Sequence, residues 1–114
     1  MIDYHKQLVD VLKNILPTHY ELNLHKGLKT PCISYQELNN YDDVTGDTRG
    51  YSRISYRVKV WGNDIKDLQN YSRIIDSELR ALGWKRTGAN ELYDPNSTMI
   101  QKILTYEALA LEDY

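Results

Sequence analysis

The sequence predicts an α+β domain: a mainly antiparallel sheet of four to five strands with two helices packed on one face, in the order α-β-β-β-α-β-β. Two adjacent segments carry this prediction. Over residues 51–61, apolar and polar side chains alternate as in a strand with one buried face. Over residues 65–82, the apolar spacing becomes that of an amphipathic helix. At 114 residues, we expect one domain covering residues 1–114.

The first element is a helix over residues 3–16. Asp3 can cap its N-terminus, and Pro17 ends it because proline cannot continue the helical hydrogen bonds. Its apolar stripe consists of Leu8, Val11, Leu12 and Ile15.

Two short strands and a long loop are predicted next. The first strand covers residues 20–24, and Lys26-Gly27 begins the turn after it. The second covers residues 32–38 and follows Pro31, which indicates a position near a sheet edge because proline cannot donate to the ladder. Residues 39–50 are polar and turn-rich. Loops of this length are usually functional or disordered, so we expect this one to become ordered on assembly.

The third strand carries a basic outer face, and the second helix follows it. The apolar side of the strand consists of Ile54, Tyr56, Val58 and Val60. The opposite side consists of Arg53, Ser55, Arg57 and Lys59. Asn63 or Asp64 can cap the helix, and Gly83 suits its C-terminal exit. The helical stripe consists of Ile65, Leu68, Ser72, Ile75, Leu79 and Leu82.

The last part of the sequence, residues 84–114, predicts a connection and a final strand. Residues 84–86 and 92–93 bracket a short connection containing Gly88, and residues 94–97 are interpreted as a turn. The last strand covers residues 98–109. Both of its faces are apolar, so both could be covered or one could meet a partner. We expect the tail, residues 109–114, to be frayed.

Composition limits the classes of function. Ten tyrosines, two tryptophans and no phenylalanine favour protein interfaces, because these rings carry a polar group at one end. The net charge of −2 argues against general nucleic-acid or membrane binding. The single cysteine, Cys32, excludes an internal disulfide and a cysteine metal cage. With no signal-peptide or membrane-spanning pattern, we expect a cytoplasmic protein.

No catalytic residue, cofactor or metal is predicted, and we expect no enzymatic activity. The three histidines lack the spacing of a metal motif. The acidic residues 42–47 do not follow a calcium-loop pattern. Residues 49–56 match part of the RNA-recognition RNP1 pattern, but that fold needs a helix between its first two strands. Residues 25–31 contain glycine and proline and are too few to form it.

The order of segments resembles the small tail-completion proteins of long-tailed bacteriophages and prophages, called tail terminators or tail-to-head joining proteins. The resemblance spans about residues 3–109. The segments that carry it are the helix ending at Pro17, PCISYQEL (31–38), the polar loop, YRVKVWG (56–62), LRALGW (79–84) and QKILTYEA (101–108).

The resemblance implies a structural role without catalysis. Such proteins form rings, commonly hexameric, although a free subunit can be monomeric. The ring caps the tail tube and joins the tail to the head connector. The implied partners are therefore other copies of the chain, the tail tube protein and the head connector protein. The implied locations are the bacterial host cytoplasm during assembly and the tail or neck of the virion.

Charge segregation suggests how subunits could contact each other. A head-to-tail ring needs two different, complementary patches on each subunit, and here an acidic segment directly precedes a basic one. The candidate interface residues are Tyr41, Asp42, Asp43, Asp47, Arg49, Arg53, Arg57 and Lys59. The alternative function is a small nucleic-acid-binding or regulatory protein that uses the basic strand face.

Overall fold

The computed structural model describes residues 3–20, 30–44, 50–94 and 99–111, and it has the α+β architecture that the sequence predicts. The elements within these residues are α1 (Tyr4–Lys13), β1 (Thr18–Tyr20), β2 (Cys32–Val44), β3 (Gly50–Gly62), α2 (Ile65–Ala81), β4 (Lys85–Asp94) and β5 (Met99–Leu111). The order α-β-β-β-α-β-β is confirmed. Neither described helix has the length and apolar character needed to cross a membrane.

The five described strands form one mixed sheet in the order β1-β2-β3-β5-β4. All neighbours are antiparallel except β1 and β2, which run parallel. β2 therefore lies one strand in from an edge, close to the predicted position. Of the strand predicted over residues 20–24, only Tyr20 is among the described residues, and the turn predicted at Lys26-Gly27 lies outside them.

Both helices begin after the cap residues that the sequence suggests, and α2 also ends as predicted. The carboxylate of Asp3 accepts a hydrogen bond from the Lys6 amide at 3.0 Å, and that of Asp64 accepts one from the Lys66 amide at 3.0 Å. Gly83 has a φ of 95°. The α2 terminus is a Schellman motif, in which the amides after the helix donate back to its last turn. α1 ends at Lys13, before the predicted residue 16, and residues 14–16 form a turn.

The core lies between the two helices and one face of the sheet, which we call the covered face. The helices contribute Leu8, Leu12, Leu68, Ile75 and Leu79 to it. The strands contribute Ile33, Tyr56, Val58, Val60, Leu104, Tyr106 and Ala108. The predicted apolar sides of α2 and β3 therefore face the core. Leu82 is an exception at 43% exposed, because it is the C-cap of α2, where the chain leaves the core.

The prediction of a loop over residues 39–50 is wrong for most of this segment. Residues 39–44 continue β2, and Gly50 begins β3. The pairing runs from Asn40 opposite Ile54 to Val44 opposite Gly50, after a bulge between Glu37 and Asn39. Backbone hydrogen bonding to a long neighbouring strand overrides the low strand propensity of Asn and Asp. Residues 45–49 lie outside the described part of the chain.

Two predictions near the C-terminus also need correction. The connection predicted around Gly88 is instead part of the strand β4, which covers Lys85–Asp94, and Gly88 follows a register shift in it. β5 continues to Leu111, two residues beyond its predicted end and into the tail expected to be frayed. The reason is that this end of β5 pairs with β3, where Ala110 is opposite Ser52 and Leu111 is opposite Tyr51. Of the turn predicted over residues 94–97, Asp94 ends β4, and residues 95–97 lie outside the described residues.

Candidate functional site

Aromatic side chains on the covered face hold the two helices to the sheet. The Tyr106 hydroxyl donates to Oδ1 of Asp76 on α2 at 2.8 Å. The Tyr56 hydroxyl lies 2.8 Å from Nδ1 of His5 on α1. Trp84 Nε1 donates to Oε1 of Gln7 at 2.9 Å. Burial raises the pKa of both tyrosines well above its ordinary value, and the bond to Asp76 raises that of Tyr106 further. These aromatic residues therefore serve the fold.

The opposite side of the sheet, which we call the open face, is the candidate functional site. Its side chains come from alternate positions of β2, β3 and β5: Ser34, Gln36, Arg53, Ser55, Arg57, Lys59, Trp61, Gln101, Ile103, Thr105 and Glu107. Both described helices make their side-chain contacts with the covered face. Neither described helix covers the open face, which makes it the candidate surface for a partner.

The basic row on the open face is held by contacts between neighbouring strands. Arg57 Nη2 donates to Oε1 of Gln36 at 2.8 Å, and Arg53 Nε lies 3.9 Å from Oε1 of Glu107. Lys59 Nζ lies 5.7 Å from the centre of the Trp61 ring. The sequence predicted a basic outer face, and the structure shows that all three of these side chains are half-buried on it. These contacts with β2, with β5 and within β3 fix the positions of the three side chains.

The position of Arg57 on this face lowers the stability of the fold. Nε of Arg57 is shielded from solvent and has no hydrogen-bond acceptor among the described residues. A buried donor without a partner costs about 1–3 kcal/mol. Polar groups that cost stability in this way are concentrated at functional sites.

Trp61 lies at one end of the open face, near the end of β3. Its Nε1 donates to Oγ of Ser34 at 2.9 Å, and Ser34 is fully buried. Cys32 is opposite Trp61 in the strand register and is also buried, which raises the pKa of its thiol. The cysteine is thus a packing residue at this end of the sheet.

The open face has a positive charge. Lys85 of β4 is opposite Glu107 and adds to Arg53, Arg57 and Lys59, so four cations stand against one carboxylate among the described side chains. The chain as a whole has a charge of −2. The sign of this surface is therefore opposite to that of the molecule, which favours an acidic partner and a defined orientation.

The structure brings several predicted interface residues together in one hairpin. Tyr41 is opposite Arg53 in the register of β2 and β3, Asp42 is opposite Ser52, and Asp43 is opposite Tyr51. The acidic segment is therefore a direct neighbour of the basic row and not part of a separate loop. The predicted contacts Asp47 and Arg49 lie outside the described residues.

Sequence reasoning missed several members of the open face. Trp61 has the same parity as the basic row on β3, so the alternation that identified Arg53 also contains it. Ile103 lies on the face of the last strand that the sequence left open for a partner. Gln36 and Glu107 could not be found in this way, because their role depends on which strands are neighbours.

Two grooves among the described residues are small. They have volumes of about 270 and 150 Å³, below the roughly 300–1,000 Å³ typical of ligand pockets. The larger lies between α2 and the β4–β5 pair. In the described part of the chain, no three His, Cys, Asp or Glu side chains are grouped closely enough to hold a metal ion.

Comparison with known proteins gives no relative: no family model matches the chain, and no match was found among curated proteins.

Proposed function

We propose that this chain is a non-enzymatic structural protein whose open face binds other protein subunits. The observation that carries the proposal is the positive sheet face that no described helix covers. It combines arginine, an aromatic ring and an aliphatic side chain in Arg57, Trp61 and Ile103. Arginine and aromatic residues are enriched in protein interfaces.

The lateral contacts of this face favour binding. Ordering a long side chain on association costs roughly 0.5–1.5 kcal/mol. The contacts of Arg57 with Gln36 and of Lys59 with Trp61 hold two such side chains before a partner arrives. The strands that carry them are paired on both sides in the sheet. A rigid, wide surface of this kind suits a protein partner better than a small molecule.

Within this class, we assign the chain to tail completion in a bacteriophage or prophage. The support is the resemblance in segment order over residues 3–109, together with the α+β fold. In this role the chain forms an oligomeric ring that caps the tail tube and joins it to the head connector. It would act in the bacterial cytoplasm during assembly and then in the tail or neck of the virion.

Deletion of the gene from its genome of origin tests the role. Electron microscopy of induced lysates should show separate heads and tails, and a plasmid copy of the gene should restore joined particles. Joined particles in the deletion strain would contradict the assignment to tail completion.

Charge reversal tests the interface in the same strain. The double variant Arg53→Glu, Arg57→Glu should fold but fail to restore joined particles, because it makes the open face acidic. The matched control is Lys66→Glu, Arg73→Glu, which makes the same charge change on exposed positions of α2. Equal activity of the open-face variant and the wild type would show that another surface makes the contact.

Nucleic-acid binding is the alternative use of the same positive face. Titration of the purified chain with double-stranded DNA at two salt concentrations separates the two functions. Tight binding that falls steeply with salt and is lost in the Arg53→Glu, Arg57→Glu variant would contradict the structural role.

A further inference from the structure

β4 is the edge strand of the described sheet, and its outer side has no strand partner among the described residues. An edge strand presents a row of backbone donors and acceptors that a second chain can pair with. Two large apolar residues near its end, Leu92 and Tyr93, are 52% and 62% exposed. An exposed edge strand with apolar side chains is prone to pair with another chain.

The basic and the acidic residues of β4 lie in opposite halves of the strand. Lys85 and Arg86 lie in its first half, and Glu91 and Asp94 lie in its second. An antiparallel pair of two β4 strands therefore brings each basic half against an acidic half. A parallel pair would place like charges together. This complementarity selects a second copy of the chain as the partner.

The bulge in β4 fixes the alignment of such a pair. Arg86 is opposite Tyr106 and Gly88 is opposite Thr105, so Thr87 is the extra residue. Because of this extra residue, Arg86 and Glu91 both lie on the covered side of the sheet, each opposite an even-numbered residue of β5. Opposed residues of an antiparallel pair must lie on the same side.

We propose that two copies of the chain pair antiparallel through β4, with the two-fold axis at Ala89. This alignment places Arg86 opposite the second copy's Glu91 and Gly88 opposite its Asn90. In each copy Thr87 is the bulged residue and has no opposite partner. Opposed residues therefore lie on the same side of the sheet along the whole pair. Small residues lie at the centre, and a charge pair flanks the axis on each side. The proposal does not depend on the tail-completion role or on the open face.

The charged side chains have room for the new contact. Arg86 is 38% exposed and lies 3.7 Å from Asp76, which is longer than a hydrogen bond. Glu91 is 41% exposed and accepts from Lys102 Nζ at 2.9 Å through one oxygen. In the pair, Asp76, Arg86, the second copy's Glu91 and its Lys102 form an alternating chain of charges. Each dimer contains two such chains.

Sedimentation equilibrium of the full chain over a range of concentrations tests the pairing. The wild type should show a monomer–dimer equilibrium. Arg86→Glu and Glu91→Arg should each weaken the dimer by about tenfold or more, because each places two like-charge pairs across the axis. An equimolar mixture of the two variants should form a heterodimer, since one edge is then acidic and the other basic.

Glu78→Arg is the matched control, because Glu78 is exposed on α2, away from β4. It should leave the dimer constant unchanged. A monomeric wild type at the highest concentration would overturn the proposal, and so would a mixture that behaves as the sum of its variants. Hydrogen exchange of the wild type gives a test without substitution. Protection of β4 amides should rise with protein concentration, and constant protection would contradict the pairing.

Discussion

Ile103 and Leu104 are neighbours on β5, and they show how differently the two faces of one sheet are used. Leu104 is fully buried in the core beneath the helices, whereas Ile103 is half-buried on the open face beside the basic row. The two residues share a strand and are similar in size. The difference in their roles comes only from what covers each face.

The aromatic residues divide in the same way. Tyr56, Tyr106 and Trp84 use their polar groups to bond α1 or α2 across the core. Trp61 uses its own to bond a buried serine on the open face. The absence of phenylalanine in the sequence is consistent with this use, because phenylalanine has no polar group with which to anchor a helix. Only some of the aromatic residues are therefore available to partners.

The largest expected difference between the faces is in stability. Leu104→Ala should lower the free energy of unfolding by about 2–5 kcal/mol, because it leaves a cavity in a closed core. Ile103→Ala should cost about 1 kcal/mol or less, because its side chain is half-buried and its site can be filled by solvent. Urea denaturation of both variants measures the contrast. Equal losses would show that the open face is packed as tightly as the core.

How far the sequence predicts the structure depends on whether a segment carries its own pattern. β3 and α2 are predicted well, because their apolar residues follow a strict period and Asp64 and Gly83 mark the helix ends. β4 and the second half of β2 are missed, because their Asn, Asp and Gly residues resemble a loop. Pairing with β5 and β3 makes them strands, and a local pattern contains no information on such neighbours.

The open face was predicted only in part, because a local sequence pattern does not show which strands are neighbours. Arg53, Arg57 and Lys59 are visible in the alternation of β3. The contacts of Arg57 with Gln36 and of Arg53 with Glu107 depend on strand order and register. The half-burial of the basic row could therefore not be anticipated from the sequence.

The next largest effect concerns the buried tyrosines of the covered face. Their pKa values are raised in the folded chain, so above about pH 10 the unfolded chain loses protons that the folded chain keeps. Stability is therefore full below that pH and falls as pH rises. The slope should be about 1.4 kcal/mol per pH unit for each tyrosine.

Tyr106→Phe tests this pH effect. It should cost about 1.5–3 kcal/mol near neutral pH, because a bond to a carboxylate is lost. It should also reduce the slope above pH 10 by about 1.4 kcal/mol per pH unit, while the contributions of Tyr56 and Tyr35 remain. Thermal denaturation between pH 8 and 11 measures both. An unchanged slope would show that Tyr106 ionises normally in the folded chain.

A smaller effect is expected for Trp61→Phe on the open face. It removes the donor to the fully buried Ser34 hydroxyl and should cost about 1 kcal/mol of stability. Chemical denaturation checks the value. A loss as large as that of Leu104→Ala would remove the contrast between the faces.

The smallest effect is expected for Lys59→Ala. Loss of its contact with the Trp61 ring should cost about 0.5–1 kcal/mol in isolation, as for an exposed cation on an aromatic ring. The same variant should weaken partner binding more than it weakens the fold. Unchanged assembly of joined particles would limit the interface to the arginine end of the row.

Site-specific photocrosslinking during particle assembly tests the open face most directly. A photoreactive side chain at Thr105, on the open face, is compared with one at Ile74, which is 46% exposed on α2. We expect irradiation of assembling particles to link the Thr105 position to another protein subunit and to leave the Ile74 position unlinked. Crosslinks from Ile74 with none from Thr105 would contradict the assignment of the open face as the assembly surface.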